Sequence, residues 1–275
     1  MQGKEHEMET CFNGLTTVNI ELTSRCNKNC WMCGRRRIDK EFPEIALQYG
    51  DMNFPLVKKL SKQLPPDIVI QFHNNGEPLL YPRFGEAISL FPHQIRTMDT
   101  NGKLIVQKAD EIIDTLDTMT ISVIENDPEG DEQYELVKQF LDLRGDRKPN
   151  LVYRCLGKVD KIERWEKLPG ILCTRILHSP FGSFSYSKNP TIPEIGMCLE
   201  ILNKMVIDRF GKVSICVRFD PKRVGVIGDA NTTPLHEIWN SKQRKKWIQH
   251  HIQGRRDLIP LCSYCEFWGV PTGSK

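Results

Sequence analysis

A chain of 275 residues with 38 basic and 35 acidic side chains carries a net charge of only +3, so neither nucleic acid nor an anionic membrane surface is an expected partner. The first ten residues, MQGKEHEMET, lack the apolar core of a signal peptide, and nowhere do about 18 apolar residues run together to span a bilayer. The expectation is a cytoplasmic protein with a sizeable core, whose ten cysteines point to metal binding or catalysis because the cytosol keeps thiols reduced.

In chain order, the β-branched stretch Val18–Leu22 reads as a first strand, and just after it Cys26, Cys30 and Cys33 stand in a C-x3-C-x2-C spacing. Three thiolates this close can each ligate a different iron of one iron–sulfur cube, leaving the fourth iron open to a small molecule. Zinc is a second reading, although it usually asks for four ligands in paired C-x2-C knuckles; a disulfide framework is a third, suited to a short secreted chain. The run Arg35-Arg36-Arg37 reads as a solvated basic face, or one that steers an acidic electron donor or an anionic substrate.

Further strands are expected at Ile68–Phe72, Ile95–Asp99, Met119–Val123, Leu151–Leu156 and Cys173–Leu177. They alternate with helical spacing at Phe54–Leu64, Arg83–Leu90, Leu104–Leu116, Gln133–Leu143 and Lys161–Lys167. Strand–helix alternation predicts right-handed crossovers and a parallel sheet, and six units are too few to close an eight-stranded barrel. The fold class is therefore α/β, a partial (β/α)6 TIM-like barrel, with reactive groups on loops at the carboxyl ends of the strands. At the second of these ends, Gly76-Glu77-Pro78 makes a sharp turn that carries a carboxylate to the mouth or leaves it solvated. His73 and Asn74 beside it are candidates for substrate contact, a core-packed histidine being the commoner outcome. Thr100-Asn101-Gly102 follows the third strand and Ser122 ends the fourth. Arg154, inside the fifth, either forks onto a carboxylate or substrate oxygen in the barrel or pairs outward with a helix.

Ser179 to Pro193, rich in Ser, Pro, Gly and Asn, is expected to link a first domain, 1–185, to a second, 186–275. In the second, Met205–Arg209 and Lys212–Val217 read as a hairpin turning at Gly211, and Pro234–Gln253 as an amphipathic helix. Cys198, Cys216, Cys262 and Cys265 can together fill every iron of one cube, which then serves electron transfer or structure; a structural zinc site is the other reading. Cys11, Cys155 and Cys173 are expected to be ordinary buried residues.

The triad, Gly76-Glu77-Pro78 and Thr100-Asn101-Gly102, falling in this order at successive strand ends, resemble the radical S-adenosylmethionine superfamily, with Asn75 standing where its Gly-Gly-Glu-Pro motif has the first Gly. The C-terminal cysteines, with Val226-Ile227-Gly228-Asp229 and Leu235-His236-Glu237-Ile238-Trp239-Asn240, resemble the SPASM extension. Because no Cys follows Cys265, the shorter twitch form is implied, a layout similar to that of 2-deoxy-scyllo-inosamine dehydrogenase. The resemblance implies two [4Fe-4S] clusters, one on Cys26, Cys30 and Cys33 that binds S-adenosylmethionine and an auxiliary one on the four later cysteines. It places the methionine amine at Gly76-Glu77, the ribose and methionine near Asn101 and Ser122, and the adenine beside Trp31 and Met32, where Trp31 could equally cap the cluster. Arg154 is a candidate clamp for the methionine carboxylate or for substrate. It further implies a flavodoxin- or ferredoxin-type reductant and hydrogen abstraction from a small polyol, sugar or aminocyclitol, oxidising an alcohol to a ketone while the auxiliary cluster accepts the electron. Relatives with the same architecture also mature precursor peptides by thioether formation or epimerisation, and a redox-neutral sugar epimerase is a further alternative. An epimerase would need a hydrogen donor such as Cys155. The lack of an obvious peptide-recognition segment ahead of the barrel favours the small molecule. A non-enzymatic iron–sulfur scaffold would cleave no S-adenosylmethionine.

Overall fold

In the computed structural model the described residues are 11–46, 48–175, 177, 197–217, 220–263 and 265. Six parallel strands lie side by side in chain order: β1 (Thr17–Ile20), β2 (Val69–Phe72), β3 (Ile95–Thr100), β4 (Thr118–Ile124), β5 (Asn150–Leu156) and β6 (Ile171–Arg175). Between them run α1 (Arg35–Glu41), α2 (Pro43–Ala46), α3 (Phe54–Ser61), α4 (Phe84–Ser89), α5 (Ala109–Ile112), α6 (Gly130–Arg144) and α7 (Ile162–Glu166). The fold is thus the α/β partial barrel that the strand–helix alternation implies.

β7 (Lys204–Ile207) joins the sheet on the far side of β1, parallel to it, and β8 (Lys212–Ser214) and β9 (Val226–Asp229) continue antiparallel. The C-terminal hairpin therefore extends the barrel sheet through backbone hydrogen bonds. The expected domain boundary and the Ser179–Pro193 linker lie outside the described residues.

The core sits between the sheet and its helices. Phe72 meets Phe84 and Phe91 edge-on, with ring centroids 6.5 and 5.6 Å apart, and Trp165 packs on Tyr134 and Tyr153 at 5.3 and 5.4 Å. A second, smaller apolar cluster gathers Ile201, Ile215, Trp247, Ile259 and Leu261 under the C-terminal region.

Several expected elements are displaced. The Leu104–Leu116 helix shrinks to α5: Asp114 adopts a positive φ, and Thr115 Oγ1 donates to the Ile112 carbonyl at 2.9 Å, which ends the turn. β6 begins at Ile171, two residues before its expected start. Cys11 is exposed rather than buried, and Cys173 is only half-buried. The Arg35 run is not a solvated face. It opens α1, with Arg35 buried, donating from Nη1 to the Ser24 carbonyl at 2.9 Å and stacked 4.1 Å from the Tyr49 ring centroid; Arg36 and Arg37 pair with Asp39 and Glu41.

The single helix expected over Pro234–Gln253 is two, α9 (Leu235–Trp239) and α10 (Lys242–Ile252), after α8 (Leu199–Asn203). Asn240 breaks it by turning its amide onto the carbonyls of Cys11 and His236 at 2.7 and 2.9 Å. Ser241 restarts it, accepting the Arg244 N–H at 3.3 Å as an N-cap. Ser241→Ala is expected to cost about 1 kcal/mol, read as a lower denaturation midpoint, because the first-turn N–H loses its partner; an unchanged midpoint would show that the cap does not hold the break.

Candidate functional site

The site is built on the carboxyl ends of β1, β2 and β3. After β1 the chain runs extended through Thr23, Ser24 and Arg25 into the cysteine loop, and the turn after β2 is pressed directly against it. Gly76 has φ +79°, and a Cβ there would stand 2.4 Å from the Thr23 carbonyl oxygen and 2.7 Å from that of Arg25, so no other residue fits. Glu77 N–H donates to the Arg25 carbonyl at 2.7 Å, fixing the turn one residue before Cys26. Asn75 has its own partner: its backbone and side-chain N–H groups donate to buried Glu21 at 3.1 and 2.9 Å, and Asn74 adds a third bond at 2.8 Å. Burial raises the pKa of Glu21 despite these donors.

The Glu77 side chain is 1% exposed. It accepts from Thr100 Oγ1 at 2.8 Å, the Asn101 N–H at 2.7 Å and the Leu79 N–H at 3.2 Å, tying the β2 turn to the end of β3. Burial nevertheless pushes it up to about 7, the three donors opposing. A carboxylate offers roughly four acceptor positions, so one remains for a further cation. Asn101 reaches back to the loop, its amide 2.8 Å from Asn27 Oδ1 and 3.8 Å from Cys26 Sγ.

The cysteine loop is also strapped from the β4 side. Lys28, between Cys26 and Cys30, forms a buried ion pair with Asp127 and lies 3.7 Å from Glu129, while Trp31 Nε1 donates to the Glu125 carbonyl at 2.8 Å. Trp31 is thereby pinned outward at the rim, with Met32 half-buried beside it. Burial raises the pKa of Cys26, and burial reinforced by Cys33 pushes Cys30 up to about 12. The thiols thus feel one another, although among the described residues no group of three or more Cys, His, Asp or Glu is already gathered as a metal site. Three soft, free thiols on one short loop suit an iron–sulfur cube, and loading them releases protons.

Inside the mouth a polar row crosses the strands. The Asn19 amide on β1 donates to Gln71 Oε1 at 3.1 Å, Gln71 Nε2 on β2 to Asp99 Oδ1 at 3.0 Å, and Arg154 on β5 forks onto Asp99 at the end of β3. Arg154 therefore points inward. His73, partly exposed, stands 3.9 Å from Asp99. Burial works against the Asp99 charge, but His73, Arg154 and Gln71 hold its carboxyl below the usual range. Ser122 pairs in register with Arg154, and its carbonyl, like that of Asn101, accepts from buried Gln133. Cys155 is not brought to this group. It is fully buried in the core on the opposite face of β5 from Arg154, and burial pushes its thiol up to about 11.

Cys198 is buried in the small C-terminal apolar cluster, and Cys216, Cys262 and Cys265 pack against that same cluster. Burial, with Cys198 and Cys265 adding to it, pushes Cys262 up to about 12. A cavity of about 110 Å³ runs between the β7–β8 hairpin and the mouth, with Cys216 in its wall together with Glu21, Asn74, Asn75, Asp208 and Arg209.

Residues 198–266 match SPASM, an iron-sulfur cluster-binding domain family. Among solved structures, that of BtrN in complex with AdoMet and 2-DOIA superposes with a TM-score of 0.59 at 18% identity, over 94% of this chain and 95% of that one. SuiB of Streptococcus suis bound to precursor peptide SuiA gives a TM-score of 0.59 at 14% identity, over 96% of this chain and 74% of that one. The tungsten-containing aldehyde ferredoxin oxidoreductase cofactor-modifying protein of Pyrococcus furiosus is 28% identical over 110 residues, 38% of this chain; the match spans only 28% of that relative's length. The chain shares the partial-barrel fold of these solved structures, and its residues 198–266 match the SPASM family.

In this fold the sequence singles out the three loop cysteines and Glu77 but not what supports them. Asn19 and Gln71 announce themselves only as single polar residues inside short apolar strands, Asp99 stands in the mixed strand IRTMDT, and Gln133 and Lys28 carry no local signal. None of the described helices is long and apolar enough to cross a membrane.

Glu77 supplies a pH test. Its folded pKa, about 7, lies above the ordinary 4.5, so between these values the folded chain holds more of the proton and its stability falls as pH rises through that window. Urea unfolding at about pH 5 and about pH 8 should show a smaller loss for Glu77→Gln than for the unaltered chain; equal losses would contradict the buried assignment.

Proposed function

We propose that the chain is a dehydrogenase that oxidises an alcohol of a small polyol, sugar or aminocyclitol to a ketone. The observation that carries this reading is the row Asn19, Gln71, Asp99 and Arg154, which lines the mouth with fixed donors and acceptors before any substrate arrives. A polyol presents the complementary alternation, and groups already locked by strands and by one another can orient it without rearranging. The likeness to BtrN, whose complex holds AdoMet and 2-DOIA, supports the same choice.

When bound, S-adenosylmethionine and a reduced cluster supply a 5′-deoxyadenosyl radical, the hydrogen-atom acceptor. In this reading Cys26, Cys30 and Cys33 hold the cluster, and Glu77 uses its remaining acceptor position for the methionine ammonium. Gly76 lets that turn approach the loop, Asn101 and Ser122 sit at adjoining strand ends, and Trp31 and Met32 flank the adenine. Arg154, its fork aimed by Asp99, donates its other N–H groups to a substrate oxygen; it stays charged and is no base. His73 accepts the hydroxyl proton. The substrate thus gives up a hydrogen atom, a proton and an electron; Cys198, Cys216, Cys262 and Cys265 would hold the auxiliary cluster that would supply the acceptor for that electron. A flavodoxin- or ferredoxin-type protein is the expected reductant of the first cluster, with residues 1–185 housing the radical site and 186–275 the electron acceptor.

Anaerobic reconstitution, iron counting and incubation with dithionite, S-adenosylmethionine and candidate polyols or peptides test this directly. The expected result is about eight irons per chain, 5′-deoxyadenosine, and a polyol lighter by two hydrogens. Cys262→Ala should keep S-adenosylmethionine cleavage and lose the ketone. A cross-linked peptide, of the kind the SuiB likeness makes the competing outcome, or an inverted centre at unchanged mass would overturn the dehydrogenase reading. No 5′-deoxyadenosine would leave an electron-transfer scaffold.

A further inference from the structure

We propose that the substrate is an anionic polyol, a sugar acid or a sugar phosphate, and that Arg209, in the cavity beside the mouth, holds its carboxylate or phosphate group. The proposal rests on the reading that a polyol occupies the mouth.

The cavity lies on the same face of the sheet as the polar row. Along β1 and just beyond it, Asn19 and Glu21 alternate with Val18, Ile20 and Leu22, which belong to the core on the other face. Two residues of strand advance about 6.6 Å, so one sugar-sized molecule can reach from the row at Asn19 into the cavity walled by Glu21. A volume of about 110 Å³ admits several waters or a small charged group with part of a carbon chain.

Arg209 stands at the turn between β7 and β8. Its guanidinium is 3.7 Å from the Phe210 ring centroid, and its Nη1 is 3.4 Å from the place a Cβ on Gly50 would take. It therefore sits between the hairpin and the segment that brings Gln48 and Tyr49 to the cavity wall. Stacking on a ring uses the flat face of a guanidinium and leaves its N–H edge for an acceptor. Among the described residues none accepts a hydrogen bond from that edge; the backbone N–H of Arg209, not its guanidinium, meets Glu21, at 3.4 Å.

The neighbouring acids have partners of their own. Glu21 takes its bonds from Asn74 and Asn75, and Asp51 is forked by Arg25 at 2.7 Å. Asp208 accepts the Phe210 and Lys212 N–H groups at 2.9 and 2.8 Å and lies 3.5 Å from Arg223, and Asp220 accepts those of Val224 and Gly225 at 2.9 and 2.8 Å. Lys212 is committed to Asp229 at 2.7 Å. Burial lowers the pKa of Arg209 although Glu21, Asp208 and Asp51 oppose it, as befits a cation held partly out of water with no carboxylate in contact. A neutral polyol would leave it so. A carboxylate or phosphate supplies the missing charge and meets the planar fork with two parallel bonds.

The test is anaerobic isothermal titration of the full reconstituted chain, saturated with S-adenosylmethionine so that no probe can take the place of its carboxylate. The anionic probes are glucose 6-phosphate, gluconate, inorganic phosphate and acetate, and the neutral one is glucose. At least one anion should bind about tenfold or more tightly than glucose, and Arg209→Gln should weaken that anion about tenfold or more, as expected for a charge-assisted pair. Arg209→Met takes the place of Arg209→Gln if the latter does not fold. No saturable binding of any of the four anions below about 10 mM would overturn the proposal, as would glucose binding as tightly as the best anion or a smaller loss in the variant. Turnover separates this inference from the dehydrogenase reading. Anion binding that depends on Arg209, with no ketone from any polyol, would overturn that reading and keep the anion site. A ketone formed from neutral polyols equally well by Arg209→Gln would overturn the anion site alone.

Discussion

The mouth of the barrel depends on the contact between the turn after β2 and the backbone after β1. Gly76 lies against the carbonyls of Thr23 and Arg25 where a Cβ has no room, and Glu77 N–H bonds the Arg25 carbonyl at 2.7 Å. From that point Glu77 reaches to Thr100 and Asn101, and Asn101 reaches back toward Cys26. The cysteine loop, which has little regular structure, thereby borrows rigidity from three neighbouring strands.

The other side of the loop is held by a different kind of force. Lys28 and Asp127 are both nearly out of solvent, and removing either would strand the other's charge where water cannot repay it. Glu129 extends the pairing to Lys103 at 2.6 Å, so the segments after β3 and β4 are drawn to the same loop. Inside, the polar row from Asn19 to Arg154 is hydrogen-bonded across four strands, with Asn19 Oδ1 the one buried oxygen of the row left without a partner, so its members hold one another in place. The sheet then carries on through β7 to β9, so the cysteines of the SPASM region are tied to the barrel by strand pairing as well as by chain.

Much of this was legible in the residues. Short β-branched runs alternating with helical spacing located all six parallel strands to within a few residues, and the cysteine spacing and Gly76-Glu77-Pro78 marked the loop and its turn. Helix ends were less legible, because Asn240 and Thr115 stop their helices through side-chain bonds to particular carbonyls, and such partners are known only after folding. Arg35 misled for a related reason: a triple arginine looks solvated until the Ser24 carbonyl and the Tyr49 ring are found waiting for it. Asn75, which departs from the Gly-Gly-Glu-Pro pattern, is explained by Glu21, a carboxylate 54 positions away whose burial no local pattern reveals. Cys155 attracted notice by chemistry alone, and strand alternation turns it to the other face.

The central claim is that one iron held at Cys26, Cys30 and Cys33 lacks a protein ligand and binds the amino-acid end of S-adenosylmethionine. Mössbauer spectroscopy of the iron-57 chain before and after adding S-adenosylmethionine tests it most directly. The account predicts that one iron of the first cluster's four moves to a distinct, higher-coordinate signal while the auxiliary cluster does not change. A spectrum indifferent to S-adenosylmethionine, or zinc in place of iron at those three sulfurs, would contradict it.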